Sequence, residues 1–183
     1  SIELKNIINP IIKVAEILNK KYDIIVTNPP YMNLTSMSDS LKKYVTDNYE
    51  NEKYDLFSAF IKRIGYFGKE NSQIGLLTPY VWMFISSYQK LRKFLLNNCT
   101  ITSLTQLEYN SFEAACVPVC IFTMENRLLK NYKGIYIKLS DFKGVDIQEI
   151  KTVYAIRNKK CNFKYLVNQN VFKSIPGNTI TYW

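Results

Sequence analysis

A continuous run of mostly β-branched residues, Tyr22-Asp-Ile-Ile-Val-Thr27, ends at Asn28-Pro29-Pro30-Tyr31. A short apolar run of this kind reads as a strand buried on both faces. Each proline fixes its own φ and pushes the residue before it out of the α region. No helix can therefore start at Asn28 or Pro29, and the chain must leave the strand extended. Neither proline has an N–H, so local competition for nearby carbonyls falls. The result is a stiff turn with two acceptors, the Asn28 side-chain oxygen and the Pro29 carbonyl, beside the flat ring of Tyr31. In an open α/β sheet, ligands bind outside the carboxyl ends of the strands, where this turn would lie.

The flanking pattern agrees with such a sheet. Residues 3–20 carry Leu4, Ile7, Ile8, Ile11, Ala15 and Leu18 at helical spacing, with Pro10 inside. A short helix is expected after a cap at Ser38, and another over Leu56, Phe57, Phe60, Ile61, Ile64 and Phe67, closed near Gly68. Asp55 reads there as a helix-start carboxylate. Strands are expected at 73–79, 101–107, 117–124 and 135–139, and a helix at 86–98. Strands alternating with helices imply βαβ units and a parallel sheet. The late consecutive strands imply an antiparallel hairpin at one sheet edge. The stretch from residue 140 is polar, basic and strand-poor, and is expected to open a separate lobe. The fold class expected is a partial Rossmann-like α/β sheet.

Two acceptors beside a ring suit a planar group bearing an –NH₂. Accepting both amino hydrogens turns the nitrogen lone pair out of conjugation and toward an electrophile, and no base need act first. That matters because the chain has no histidine. Ser-His-Asp, Cys-His and histidine–metal chemistry are all excluded. Cys116 and Cys120 form no paired C-x-x-C set, so no metal is expected. The formal charge of +9 favours an anionic partner such as nucleic acid. The longest apolar run, from Ile74, is too short to span a membrane. With no signal-peptide pattern, a reducing cytoplasm is the expected compartment.

Asp/Asn-Pro-Pro-Tyr after an apolar strand resembles the catalytic motif of S-adenosylmethionine-dependent amino methyltransferases. The wider pattern is similar to N6-adenine DNA methyltransferases that carry their recognition region after the catalytic domain. "YDLFSAFI", "QIGLLTPYVWMF" and "LEYNSFEAACVPVCIFTM" resemble that family's segments in its order. The closing "FKSIPGNTITYW" is similar to a segment of the adenine methyltransferases of BREX phage-defence systems and type IIG restriction–modification proteins. The resemblance implies S-adenosylmethionine as cofactor and double-stranded DNA as partner, with other restriction or defence subunits as further partners. It implies that Asn28 and Pro29, held by Pro30, accept the adenine amino group, that Tyr31 stacks on the base, and that Phe112 contacts the base from another side. Arg157, Lys159 and Lys160 become candidates for the DNA backbone.

The family's glycine-containing cofactor turn is absent, since the first glycine is Gly65. Residues 1–139 are therefore expected to be the carboxyl-terminal part of a methyltransferase domain, and 140–183 the start of its recognition region. Such a fragment is expected to bind the cofactor weakly or not at all and to be inactive alone. Methyltransferases acting on protein glutamine or RNA guanine share the turn, and a non-catalytic DNA-binding specificity piece is a further alternative.

Overall fold

A computed structural model of the chain describes residues 2–109 and 117–183, with the side chains of 2–4 left aside. Helix α1 (Ile2–Asn19) leads into strand β1 (Tyr22–Thr27). Helices α2 (Asp39–Asn48) and α3 (Leu56–Phe67) follow, then β2 (Gly68–Pro79), α4 (Gln89–Asn98), β3 (Thr100–Gln106), β4 (Val119–Glu125) and β5 (Gly134–Lys138). Helix α5 (Val145–Arg157), β6 (Lys164–Val167) and α6 (Asn170–Lys173) complete the order. Ser38 caps α2, and Gly68 ends α3.

The six strands form one sheet in the order β1-β2-β4-β3-β5-β6. β1, β2, β3 and β5 run in one direction, and β4 and β6 are reversed. The antiparallel pair β3–β4 thus lies inside the sheet, not at its edge. β4 slots between β2 and β3 because most of its residues are apolar and it is covered by a strand on either side. All four parallel strands bring their carboxyl ends to the same edge of the sheet.

One register row crosses the whole sheet: Thr27, Leu76, Phe122, Leu104, Tyr136 and Tyr165. That row faces the main core, where Phe57, Ile61 and Ile64 of α3, Leu91 and Leu95 of α4 and Phe172 of α6 pack on it. The adjacent row, Val26, Gly75, Thr123, Ser103, Ile135 and Leu166, faces the other way and is exposed or half-exposed. β1 departs from expectation here. It is an edge strand, with Ile24 70% and Val26 78% exposed, because no strand flanks it on its outer side among the described residues.

The stretch from residue 140 also differs from the strand-poor lobe expected. It supplies α5 and β6, and β6 pairs with β5 at the sheet edge. Its last residues close the main core through Phe172, Ile180 and Tyr182. The side chain of Gln169 donates to the carbonyls of Leu96 and Cys99 and accepts from the Ile101 N–H. These contacts join the tail to the α4–β3 corner, so it packs as a continuation of the same sheet and core. No helix among the described residues is long and apolar enough to cross a membrane.

Candidate active site

The Asn28 turn begins one residue after Thr27, which still pairs with Leu76 of β2. The turn therefore leaves from the sheet's carboxyl edge. Asn28 and Pro30 are exposed, Pro29 is buried, and Tyr31 is half-buried. Among the described residues, nothing hydrogen-bonds the Asn28 side chain or the Pro29 carbonyl. Two acceptors on a proline-stiffened loop thus stand open to an incoming donor.

Tyr31 is held in place from two sides. Its hydroxyl donates to the Leu77 carbonyl at 3.3 Å, and its ring meets Phe57 edge-on at 6.3 Å. Burial, with a smaller contribution from Cys120, pushes its pKa up to about 12. The phenol therefore stays protonated near neutrality.

The loop after the turn is fixed by a residue whose sequence context suggests only a helix start. Asp55 caps α3 by accepting from the Phe57 N–H at 3.2 Å, and the same oxygen accepts from the Met32 N–H at 2.9 Å. Met32 returns the tie by accepting from the Leu56 N–H, and Leu34 N–H bonds the Tyr54 carbonyl. One carboxylate thus joins the residue after Tyr31 to the helix behind it. Burial raises the Asp55 pKa, and the backbone donors Met32, Phe57 and Leu56 oppose that shift. Asp55→Ala should cost about 1–2 kcal/mol in chemical denaturation, the range of a lost N-cap. Asp55→Asn keeps the accepting oxygen and should cost less. Because its folded pKa lies above the unfolded value, ionising Asp55 costs more in the fold. Stability of the wild type relative to Asp55→Asn should therefore fall as pH rises through that pKa; a difference flat with pH would refute the raised pKa.

Other candidates sit along the same edge but not at the turn. Arg157 ends α5, and Lys159 and Lys160 follow it before β6, all exposed. β6 is five strand intervals from β1, or roughly 24 Å at the usual spacing. The structure therefore does not bring these cations to Asn28. Phe112 lies outside the described residues.

Arg92 was not conspicuous in the sequence, yet it organises this edge. It is 1% exposed, and its guanidinium donates to the carbonyls of Trp82 (2.8 Å), Ile85 (2.7 Å) and Gly177 (2.7 and 3.0 Å). Further along, the Tyr182 hydroxyl donates to Gln106 Oε1 at 2.6 Å and to the Ile137 carbonyl at 3.2 Å, and the Ile180 N–H to Met83. The closing residues are thereby laid across the carboxyl ends of β3 and β5. The sequence signal for this was a single arginine in a lysine-bearing helix.

Residues 2–112 match the family described as Eco57I restriction-modification methylase. The chain is 33% identical over 184 residues to the adenine-specific methyltransferase PglX of Lacticaseibacillus casei (strain Zhang), covering 99% of this chain and 15% of the relative. It is 34% identical over 177 residues to the adenine-specific methyltransferase BrxX of Escherichia coli O9:H4 (strain HS), covering 95% of this chain and 14% of the relative. The chain thus spans about one-seventh of the length of these relatives. In fold, it is similar to the type I restriction-modification system methyltransferase subunit of Streptococcus thermophilus. The TM-score is 0.60 at 21% identity, over 90% of this chain and 39% of that one.

Proposed function

The chain belongs to the Eco57I restriction-modification methylase family, and on that premise we propose that it forms the base-accepting part of a DNA adenine-N6 methyltransferase. The supporting observation is the unclaimed pair of acceptors, Asn28 Oδ1 and the Pro29 carbonyl, beside the fixed ring of Tyr31 at the sheet's carboxyl edge.

The chemistry follows from those groups. Adenine N6 is occupied in a duplex, so the base must leave the stack at a cost of a few kcal/mol. Stacking on Tyr31 returns roughly 1–3 kcal/mol. Asn28 Oδ1 and the Pro29 carbonyl each accept one amino hydrogen, which turns the nitrogen lone pair out of the ring's conjugation. The nitrogen sheds its extra proton after it has been alkylated, so no imidazole is needed. Pro30 fixes the direction of the Pro29 carbonyl, and Asp55 fixes the loop behind it.

S-adenosylmethionine, when bound, supplies an electrophilic methyl group. Among the described residues no glycine precedes the Asn28 turn, so no residue here is assigned to a glycine-containing cofactor turn. This chain contributes the acceptor side, and the donor's binding residues belong to other parts of a protein of the relatives' length. In that setting Arg157, Lys159 and Lys160 would hold phosphates and position the duplex without reading sequence. The stretch from residue 140 would begin the recognition region, and other restriction or defence subunits are candidate partners.

The test is methyl-labelled S-adenosylmethionine with duplex DNA and the full-length protein carrying this chain. Label in N6-methyladenine is expected. Label in glutamine of a peptide or guanine of an RNA, with none in DNA, would replace this reading.

A further inference from the structure

Tyr31 lies between two segments that share one anchor. Asp55 Oδ1 accepts from the Met32 N–H at 2.9 Å and from the Phe57 N–H at 3.2 Å. Met32 follows Tyr31 in the chain, and Phe57 carries the ring that Tyr31 meets edge-on. A single oxygen therefore sets both the backbone that leaves the turn and the aromatic wall behind it.

The surroundings stiffen that anchor. Asn33 and Asp55 form an antiparallel bridge. Leu56 N–H closes it on one side by donating to the Met32 carbonyl at 2.9 Å, and Leu34 N–H on the other by donating to the Tyr54 carbonyl at 3.1 Å. Asn33 Oδ1 then accepts from Thr35 Oγ1 at 2.6 Å and from the Ser36 N–H at 3.0 Å, which holds the chain beyond the bridge. Phe57 is buried and packs on the Tyr88 ring at 5.6 Å. At its other end the turn is tied to the sheet, through the pairing of Thr27 with Leu76 and the Tyr31 hydroxyl on the Leu77 carbonyl. Residues 28–31 thus hang between the sheet and α3, and Asp55 is the side chain that closes the α3 end.

Resting on the amino-methylation reading above, we propose that Asp55 is a positioning residue for methyl transfer. Its Oδ1 holds Met32 and Phe57 so that the Asn28 and Pro29 acceptors and the Tyr31 ring meet the same amino group. The role needs the oxygen and not the negative charge, because both of its partners are neutral N–H groups. A misplacement of about 1 Å at a reacting centre can cost about a hundredfold in rate.

Three variants separate this role from helix capping. Asp55→Ala removes both bonds. Asp55→Ser keeps a cap for α3, since serine caps as well as aspartate, but its oxygen sits one bond nearer the backbone and gives up Met32. Asp55→Asn keeps both bonds. The assay uses the full-length protein on whichever substrate it methylates, at a temperature where every variant is folded. Asp55→Ala and Asp55→Ser should each lower kcat by about tenfold to a hundredfold. KM should stay within about threefold, and Asp55→Asn should keep both constants within about threefold of wild type. In the 183-residue chain, the protection of the Met32 amide against hydrogen exchange should be lost in Asp55→Ala and Asp55→Ser and kept in Asp55→Asn. Asp55→Ser should nonetheless recover most of the stability that Asp55→Ala loses. A serine variant as active as wild type would reduce Asp55 to a cap and overturn the proposal. So would an asparagine variant as impaired as alanine, or Met32 protection unchanged in Asp55→Ala. Label in a peptide or an RNA with the same ranking of variants replaces the adenine reading and supports this one. Label in adenine with kcat unchanged by Asp55→Ala sinks this inference alone.

Discussion

Asn28→Ala in the full-length protein is expected to lower the rate of methyl transfer to adenine by about a hundredfold to a thousandfold, the range for removing one preorganised polar group from a reacting centre. The fold should hardly notice. Asn28 is exposed and no described residue bonds its side chain, so the substitution touches no packing or hydrogen bond that folding uses. Surface changes of that sort usually stay within about 0.5 kcal/mol. Binding of duplex DNA should also persist, because backbone contacts carry most of the affinity. The loss should therefore appear in kcat. Asn28→Asp provides the control: it keeps an acceptor in the same place and should recover most of the activity. If the alanine variant retained a tenth of wild-type turnover, or if the aspartate variant were as dead as alanine, an acceptor role at residue 28 would be untenable.

The largest stability effect is expected at Arg92. Its guanidinium serves three backbone carbonyls from two segments, with no acidic partner among the described residues, and burial lowers its pKa. Arg92→Met fills much of the volume but takes the donor from the Trp82 and Gly177 carbonyls, while Ile85 keeps the Tyr88 N–H. Each unsatisfied buried acceptor costs about 1–3 kcal/mol. Part of that returns, because a buried cation no longer has to be desolvated. A net loss of about 3 kcal/mol is expected by denaturant unfolding. Arg92→Lys should lose nearly as much, since a point ammonium cannot span the three acceptors that a planar fork reaches. Limited proteolysis would locate the damage. The cut should fall within residues 175–183, whose Gly177 is pinned by this arginine; a variant as stable and as resistant as wild type would show that the closing segment is held by its aromatic packing instead.

Much of the turn that carries the candidate site was legible because it is local. Prolines dictate the turn at Asn28 from their own covalent structure, and the apolar run before them dictates a strand. Ser38, Asp55 and Gly68 marked helix ends through short-range signals, and the structure uses all three. What was hidden depends on neighbours far along the chain. An apolar run shows that a strand is greasy, not whether another strand stands beside it, so β1 read as buried on both faces where, among the described residues, it is an edge. β4 has the same local pattern whether it joins the rim or the middle of the sheet. Lys164–Val167 is four residues long and begins with a lysine, too short to announce a strand. The second bond of Asp55, to Met32, spans 23 residues, and Arg92 reaches Gly177 across 85, so neither could be seen from spacing.

The open side of β1 has a consequence for the chain in solution. Among the described residues the outer edge of β1 is unpaired, and such an edge with exposed Ile24 and Val26 is a template for any extended segment that meets it. Natural edges are usually blunted by charge, and here the Asp23–Lys69 ion pair guards only the start of the strand. A concentrated solution of the chain by itself is thus a competition between copies zippering edge to edge and a covering strand arriving first. By mass action, whatever caps that edge also sets how much of the chain stays monodisperse.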